Sequence, residues 1–243
     1  MATKEELQEK EEGCDSTEDY VNLVKEVITD LDDKKWAGEL MEEAVDWAET
    51  TDDFILLAKG AAEALKDPDQ AKQYIVQGKD YCMNVDEFTN LGKIAAEIGD
   101  VEAAKEIFSA AEGKCVKIDD FFTVAAQIKE VLKDPDLASG VVGKAREKCK
   151  TAADFAVLAQ RLKKDLGDDK GAAEIFTQAM ETCKTADDFG ELAKGVIDTL
   201  DDKDTARTIF GKAPESIESG VDLGQLAEGA VKILKDNDLA KTL

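Results

Sequence analysis

The chain has 243 residues, of which 31 are Lys or Arg and 55 are Asp or Glu, so its formal net charge is −24. A chain this acidic repels nucleic acids and anionic membrane surfaces. It has no histidine, which excludes imidazole-activated nucleophiles, imidazole metal ligands and a histidine pH switch. We therefore expect neither nucleic acid nor a membrane among its partners.

The N-terminus and the cysteine count indicate the cellular compartment in which the protein is expected. The first residues lack the apolar segment of a secretory signal, and no apolar run approaches the length of a membrane-spanning helix. The five cysteines are an odd number, which is typical of reduced thiols rather than of a disulfide framework. These features predict a cytoplasmic protein.

An aromatic residue or a leucine recurs after acidic residues with spacings of 34, 34, 33, 34, 34 and 34. These positions hold Tyr20, Phe54, Phe88, Phe121, Phe155, Phe189 and Leu223. A cysteine lies six residues before most of them, and Ala48 or Ile217 takes its place in the others. One such unit cannot bury its own apolar face, so the units must stack. The period predicts an all-α fold, an α-solenoid of about seven 34-residue helix–turn–helix repeats that start near residues 14, 48, 82, 115, 149, 183 and 217.

Each repeat contains a first helix, helix A, and a second, helix B. Helix A follows a capping residue with an acid three positions later in most repeats. The residues at the cap position are Ser16, Thr50, Asn84, Lys117, Thr151, Thr185 and Ser219, of which Lys117 departs from the rule. Helix B follows an acidic turn, and Pro68 and Pro135 suit its first position. Helix B then carries small, bulky and small residues, as at Ala104, Phe108 and Ala111, which favour close packing.

The pattern resembles the tetratricopeptide repeat (TPR) family, over about 230 of the 243 residues. The third repeat matches that family's spacing best, through Phe88, Leu91, Gly92, Ala95 and Phe108. The other repeats carry one extra residue in the turn within the repeat and one fewer between repeats. The resemblance implies one continuous helical domain that binds peptide or protein segments on the surface of its A helices.

The two ends of the chain differ from the repeats between them. Residues 1–13 are predicted to form a capping helix, in which Leu7 stands where Met41 stands in the first repeat. Residues 14–243 form the repeat domain, whose last helix B is cut short at Leu243. Either this end pairs with another molecule, or the chain has been trimmed there.

Three features of the sequence suggest chemistry, and each has a structural explanation. Cysteines in adjacent repeats lie too far apart to share a metal, because packed helices are roughly 8–10 Å apart, so we expect them to be packing residues. The acidic turns lack the glycine and glutamate of a calcium loop, and helix capping explains them. The acidic pairs recur in nearly every repeat, unlike a catalytic pair. We therefore expect no enzyme, no cofactor and no metal.

Candidate binding residues lie on the A helices, one, two or five positions after the aromatic residue. Lysine beside asparagine on neighbouring helices can hold a peptide backbone or a carboxylate, although such lysines also pair with nearby acids. The predicted set is Asn22, Lys25, Ile55, Lys59, Thr89, Asn90, Lys93 and Phe122. Phe122 is included because it follows Phe121 directly. The two cannot share one helix face, so we expect one of them to be exposed or to line a groove.

These observations predict a non-catalytic scaffold or adaptor that holds a peptide or protein segment, and the charge of −24 favours a basic partner. An alternative is a structural protein that dimerises or polymerises through its truncated C-terminal repeat. A weaker alternative is a calcium-responsive helical repeat.

Overall fold

The structure is a computed structural model that describes residues 1–217 and 220–243, and all regular structure in these ranges is helical. The α-helices are α1 Lys4–Glu11, α2 Thr17–Leu31, α3 Lys34–Asp46, α4 Thr51–Gly60, α5 Pro68–Lys79, α6 Val85–Glu97, α7 Val101–Lys114, α8 Ile118–Gln127, α9 Pro135–Lys148, α10 Ala152–Arg161, α11 Asp169–Ala179, α12 Ala186–Leu200, α13 Lys203–Lys212, α14 Gly220–Leu234 and α15 Asn237–Thr242. The predicted all-α class is confirmed. The predicted cap Ser219 lies outside the described residues.

Side-chain caps fix where most A helices begin. The Thr151 hydroxyl accepts a hydrogen bond from the Asp154 N–H at 3.2 Å, and the Asp154 carboxylate accepts one from the Thr151 N–H at 3.0 Å. Lys117 has no side-chain oxygen that could accept a hydrogen bond at this position. There the Asp120 N–H donates to the Lys117 backbone carbonyl at 3.1 Å, and the Asp120 carboxylate accepts from the Lys117 N–H at 2.8 Å. Pro68 occupies the first position of α5, as predicted. Local hydrogen bonds therefore set the helix boundaries.

The extra residue of most repeats lies in the last turn of helix A, not in the turn that follows it. This last turn is π-helical in the second, fourth and fifth repeats, at Ala61–Leu65, Ile128–Leu132 and Leu162–Leu166. The second repeat then leaves the helix at Lys66, in the left-handed conformation with φ 58°. The third repeat has no π-turn and leaves one residue sooner, at left-handed Gly99 with φ 88°. There the Asp100 N–H donates to the Ala95 carbonyl at 2.8 Å, which closes the end of the helix.

The chain divides into two compact units, residues 1–115 with 123–138, and residues 116–122 with 139–243. In the first unit α2 pairs with α3, α4 with α5 and α6 with α7, while α2, α4 and α6 lie side by side. In the second unit α10 pairs with α11, α12 with α13 and α14 with α15, while α10, α12 and α14 lie side by side. Each unit is a stack of helix–turn–helix repeats, as in an α-solenoid. The boundary between a capping segment, 1–13, and a repeat domain, 14–243, stays a prediction.

Small residues on helix B allow it to lie close against helix A. Ala104, Phe108 and Ala111 on α7 are fully buried, as their spacing predicts. Gly78 on α5 lies so close to α4 that a Cβ placed on it would be 2.7 Å from the Phe54 Cβ. At this position, therefore, the packing distance depends on the absence of a side chain.

Helix α1 packs against α2 and buries Leu7 completely, while its role as a cap stays a prediction. The Ala2 N–H donates to the Asp30 carboxylate at 2.7 Å, and Lys4 Nζ lies 3.2 Å from Asp33 Oδ2. Polar contacts thus hold α1 on its neighbour in addition to one buried leucine.

The cysteine thiols help to close the helices that precede them. Each thiol donates to the carbonyl oxygen four residues earlier, at distances between 3.4 and 3.7 Å. Burial raises the pKa of Cys149 to about 11 and that of Cys183 to about 12. These contacts support the packing interpretation, because a carbonyl left over at a helix end gains a donor. Among the described residues, no group of three Cys, Asp or Glu side chains converges as metal ligands would.

Candidate functional site

Four of the predicted binding residues line one cleft in the first unit. Ile55 and Lys59 reach it from α4, and Asn90 and Lys93 reach it from α6. The complete lining of this interhelix cleft, of about 280 Å³, is Asp52, Ile55, Lys59, Asn90, Lys93, Ile94 and Glu97. The structure thus brings together two of the predicted residues from each of two adjacent repeats.

Helix geometry explains why these side chains meet. Ile55 and Lys59 are four residues apart, so they occupy one face of α4. Asn90, Lys93 and Ile94 follow the same rule on α6. Since α4 and α6 pack side by side, the two faces form opposite walls of the interhelix cleft.

The interhelix cleft combines charged side chains with an apolar floor. Lys93 Nζ lies 4.0 Å from Glu97 Oε1, and both side chains are about half exposed, so this ion pair is weak. Within the described part of the chain, Lys59 has no acidic partner at ion-pair distance. Ile94 is buried and Ile55 is half-buried. The walls can therefore donate hydrogen bonds to carbonyl or carboxylate oxygens while the floor accepts an apolar group.

A second cleft, of about 440 Å³, adjoins the first and shares Lys59, Ile94 and Glu97 with it. The lining of this junction cleft is Lys59, Ala62, Glu63, Lys66, Pro68, Ile94, Glu97 and Ile98. It lies where the π-turn of the second repeat faces the end of α6. Sequence reasoning missed it, although the single spacing of 33 was the signal.

Asn22 and Lys25 lie outside the interhelix cleft. Both are exposed on α2, and Asn22 lines a different depression, of about 240 Å³, beside Lys10 and Asp19. These two predicted residues therefore do not share a site with the four that line the interhelix cleft.

The expectation for Phe122 is wrong. Phe121 is 3% exposed and Phe122 is fully buried, so neither ring is open to a ligand. In the second unit the Arg161 guanidinium lies 5.6 Å from the centre of the Phe122 ring, and Arg161 Nε lies 3.0 Å from Asp165 Oδ2. A cation–π contact and an adjoining ion pair therefore cover the face that was expected to be free.

Thr89 is also unavailable to a ligand, since it is 4% exposed and its hydroxyl donates to the Asp86 carbonyl at 3.0 Å. Thr89 and Phe122 occupy the same repeat position, directly after the aromatic residue that recurs once in each repeat. Val21 in the first repeat is buried there too. This position belongs to the packing of helix A, although the half-buried Ile55 reaches the interhelix cleft from it.

The second unit has an open groove beside its last helices. The groove, of about 350 Å³, is lined by Gly224, Ala227, Glu228, Val231, Lys232 and Ala240. Glu228 and Lys232 form an exposed ion pair at 3.3 Å, and Val221 nearby on the same helix is 73% exposed. Small and apolar residues thus form most of the surface of α14 here.

The aspartates of the acidic turns are used as helix caps. Asp67 accepts from the Gln70 N–H at 2.9 Å, and Asp134 accepts from the Leu137 N–H at 3.0 Å. Capping explains both carboxylates without a bound cation. Nothing in the described residues favours the calcium-responsive alternative.

None of the helices within residues 1–217 and 220–243 combines the length and apolar character needed to cross a bilayer. Neither a protein-family model nor a curated protein matches the chain. Among solved structures, the chain is similar to the C-terminal part of a TPR repeat-containing protein from Cytophaga hutchinsonii. The identity is 15%, the TM-score is 0.32, and the match covers 91% of this chain and 92% of the other. The fold class is established by the helices of the chain itself.

Proposed function

We propose that the protein is a non-catalytic scaffold or adaptor that binds a peptide or protein segment in the interhelix cleft. The proposal rests on the convergence of Ile55, Lys59, Asn90 and Lys93 from two neighbouring A helices. The net charge of −24 favours a basic partner, because long-range attraction speeds its association. The odd cysteine count supports the cytoplasm as its site of action.

The side chains of the interhelix cleft suit an extended segment. The ammonium groups of Lys59 and Lys93 can donate to its backbone carbonyls, and the Asn90 amide can both donate and accept. Asp52 and Glu97 lie along the same cleft and can receive basic side chains of the segment. A ligand with apolar and basic residues therefore satisfies the floor and the acidic walls together.

A phage-displayed peptide library, selected on the full chain, tests this proposal. Selected peptides should bind the double variant Lys59→Ala/Lys93→Ala at least about tenfold more weakly than the original chain. Lys194→Ala is the matched control, because Lys194 occupies the equivalent exposed position on α12 in the other unit. Equal affinity for the double variant, or a library that yields no binder, would count against the proposal.

A second candidate function is self-association through the groove on α14. The surface of α14 that lines the groove has small and apolar residues at helical spacing, and α14 packs on α12 on its other side. The opposite charges of Glu228 and Lys232 make the surface self-complementary, so a second copy of the chain is the proposed occupant.

Light scattering over a concentration series tests the second candidate. We expect the mass to rise with concentration, and Val231→Glu to abolish the rise by placing a charge in the groove. Val76→Glu is the control, since Val76 is equally apolar and 62% exposed in the first unit. A constant monomer mass would remove this candidate.

A further inference from the structure

The junction cleft arises from the one short spacing in the repeat pattern. Repeat two leaves its helix A at Lys66 after a π-turn, whereas repeat three leaves at Gly99, one residue sooner. The Gly99 N–H donates to the Ala96 carbonyl at 3.0 Å, so the third repeat closes its helix tightly at this point. Two neighbouring A helices of unequal length therefore end beside each other.

This difference in length exposes an apolar surface with charges of both signs around it. Ile98 stands at the end of α6, half-buried, and Ala62 lies opposite it in the π-turn. Glu63 and Lys66, both exposed, stand on the side of the π-turn. The volume of about 440 Å³ lies within the range of pockets that hold small ligands, so it accommodates one bulky side chain.

We infer that the junction cleft is the specificity pocket of the proposed peptide site, and that it takes a bulky apolar side chain flanked by basic residues. The apolar side chain would contact Ala62, Ile94 and Ile98. Its basic neighbours would face the carboxylates of Glu63 and Glu97. The lining also contains Lys59 and Lys66, and the net charge of −24 over the whole chain favours basic over acidic neighbours. This inference rests on the proposed function and adds the chemistry of the ligand to it.

The same selected peptides test this inference, with variants that change the pocket but leave Lys93 and Asn90 in place. We expect the peptides to share a bulky apolar residue between Lys or Arg residues. Ala62→Leu, which fills the pocket, should weaken their binding about tenfold or more. Ala96→Leu is the matched control, because Ala96 is the half-buried residue at the equivalent position of the next repeat. Glu63→Gln should weaken binding as well. Because Glu63 is exposed, this substitution should leave the fold intact, so weaker binding would report on the lost carboxylate.

The outcomes separate the inference from the proposed function. If Ala62→Leu and Glu63→Gln bind like the original chain but Lys59→Ala/Lys93→Ala does not, the pocket is overturned and the interhelix cleft stands. If none of these variants weakens binding, both are overturned. Selected peptides without a shared apolar residue would also overturn the specificity pocket.

Discussion

The close approach of α4 and α5 predicts that alanine has opposite effects at two helical glycines. Gly38 in α3 has open space where a Cβ would go, whereas a Cβ at Gly78 in α5 would lie 2.7 Å from the Phe54 Cβ and 3.3 Å from Leu91 Cδ1. A separation under 3 Å requires something to shift, and the Phe54 Cβ cannot rotate away because it is fixed to the backbone. The two substitutions therefore share a helix-propensity gain and differ in packing.

The expected free energies follow from these two contributions. Gly38→Ala should raise the free energy of unfolding by about 0.5–1 kcal/mol, because alanine loses less backbone freedom on folding. Gly78→Ala gains a similar amount, but overpacking costs about 1–3 kcal/mol, so the net effect is a loss of up to about 2.5 kcal/mol. For a chain of this size, 1 kcal/mol corresponds to roughly 2–4 °C in Tm.

Thermal and urea unfolding, followed by far-ultraviolet circular dichroism, measure both variants against the original chain. We expect a higher Tm for Gly38→Ala and a lower one for Gly78→Ala. Equal stabilisation by the two substitutions would refute the claim that a missing Cβ sets the distance between α4 and α5.

Three further predictions concern the helix ends. Lys133→Gly should raise Tm, since Lys133 is left-handed with φ 56° and glycine relieves about 1 kcal/mol of backbone strain; no change would contradict this. Asp154→Ala should cost about 1 kcal/mol at pH 7 in urea unfolding. Hydrogen bonds from the Lys150 and Thr151 N–H groups lower the Asp154 pKa, so this stability is present above its unfolded pKa. This stability is lost as pH falls through the lowered folded pKa. If the two chains differed in unfolding free energy as much at pH 2 as at pH 7, the prediction would be contradicted. Cys183, with a pKa of about 12, should react with iodoacetamide at pH 8 only after unfolding, as peptide mass spectrometry can determine; rapid native alkylation would contradict this.

The sequence predicted the features that depend on neighbours a few residues apart. A cap and the acid three positions later, as in Thr151 and Asp154, form their hydrogen bonds within one turn of helix. The apolar residues of one repeat are likewise recognisable by their spacing. The starts of most helices, the buried helix B triplets and four of the residues that line the interhelix cleft therefore followed from local patterns.

Features that depend on neighbouring repeats did not follow from local patterns. Phe122 was expected to be exposed because its neighbour occupies the core face, but a stacked helix A is covered over a wide arc. The burial of Val21 and Thr89 at the same repeat position has the same cause. Similarly, the spacing revealed an extra residue but not its location, since a π-turn and a longer loop have the same length in sequence.

The central claim is that a partner segment lies between α4 and α6. The most direct test is a titration of isotope-labelled full chain with a selected peptide, followed by two-dimensional nuclear magnetic resonance. We predict that the largest shifts occur at the amides of Ile55, Asn90 and Ile94, and that the equivalent helices α10 and α12 of the other unit change little. Shifts confined to surfaces away from α4 and α6 would contradict the account.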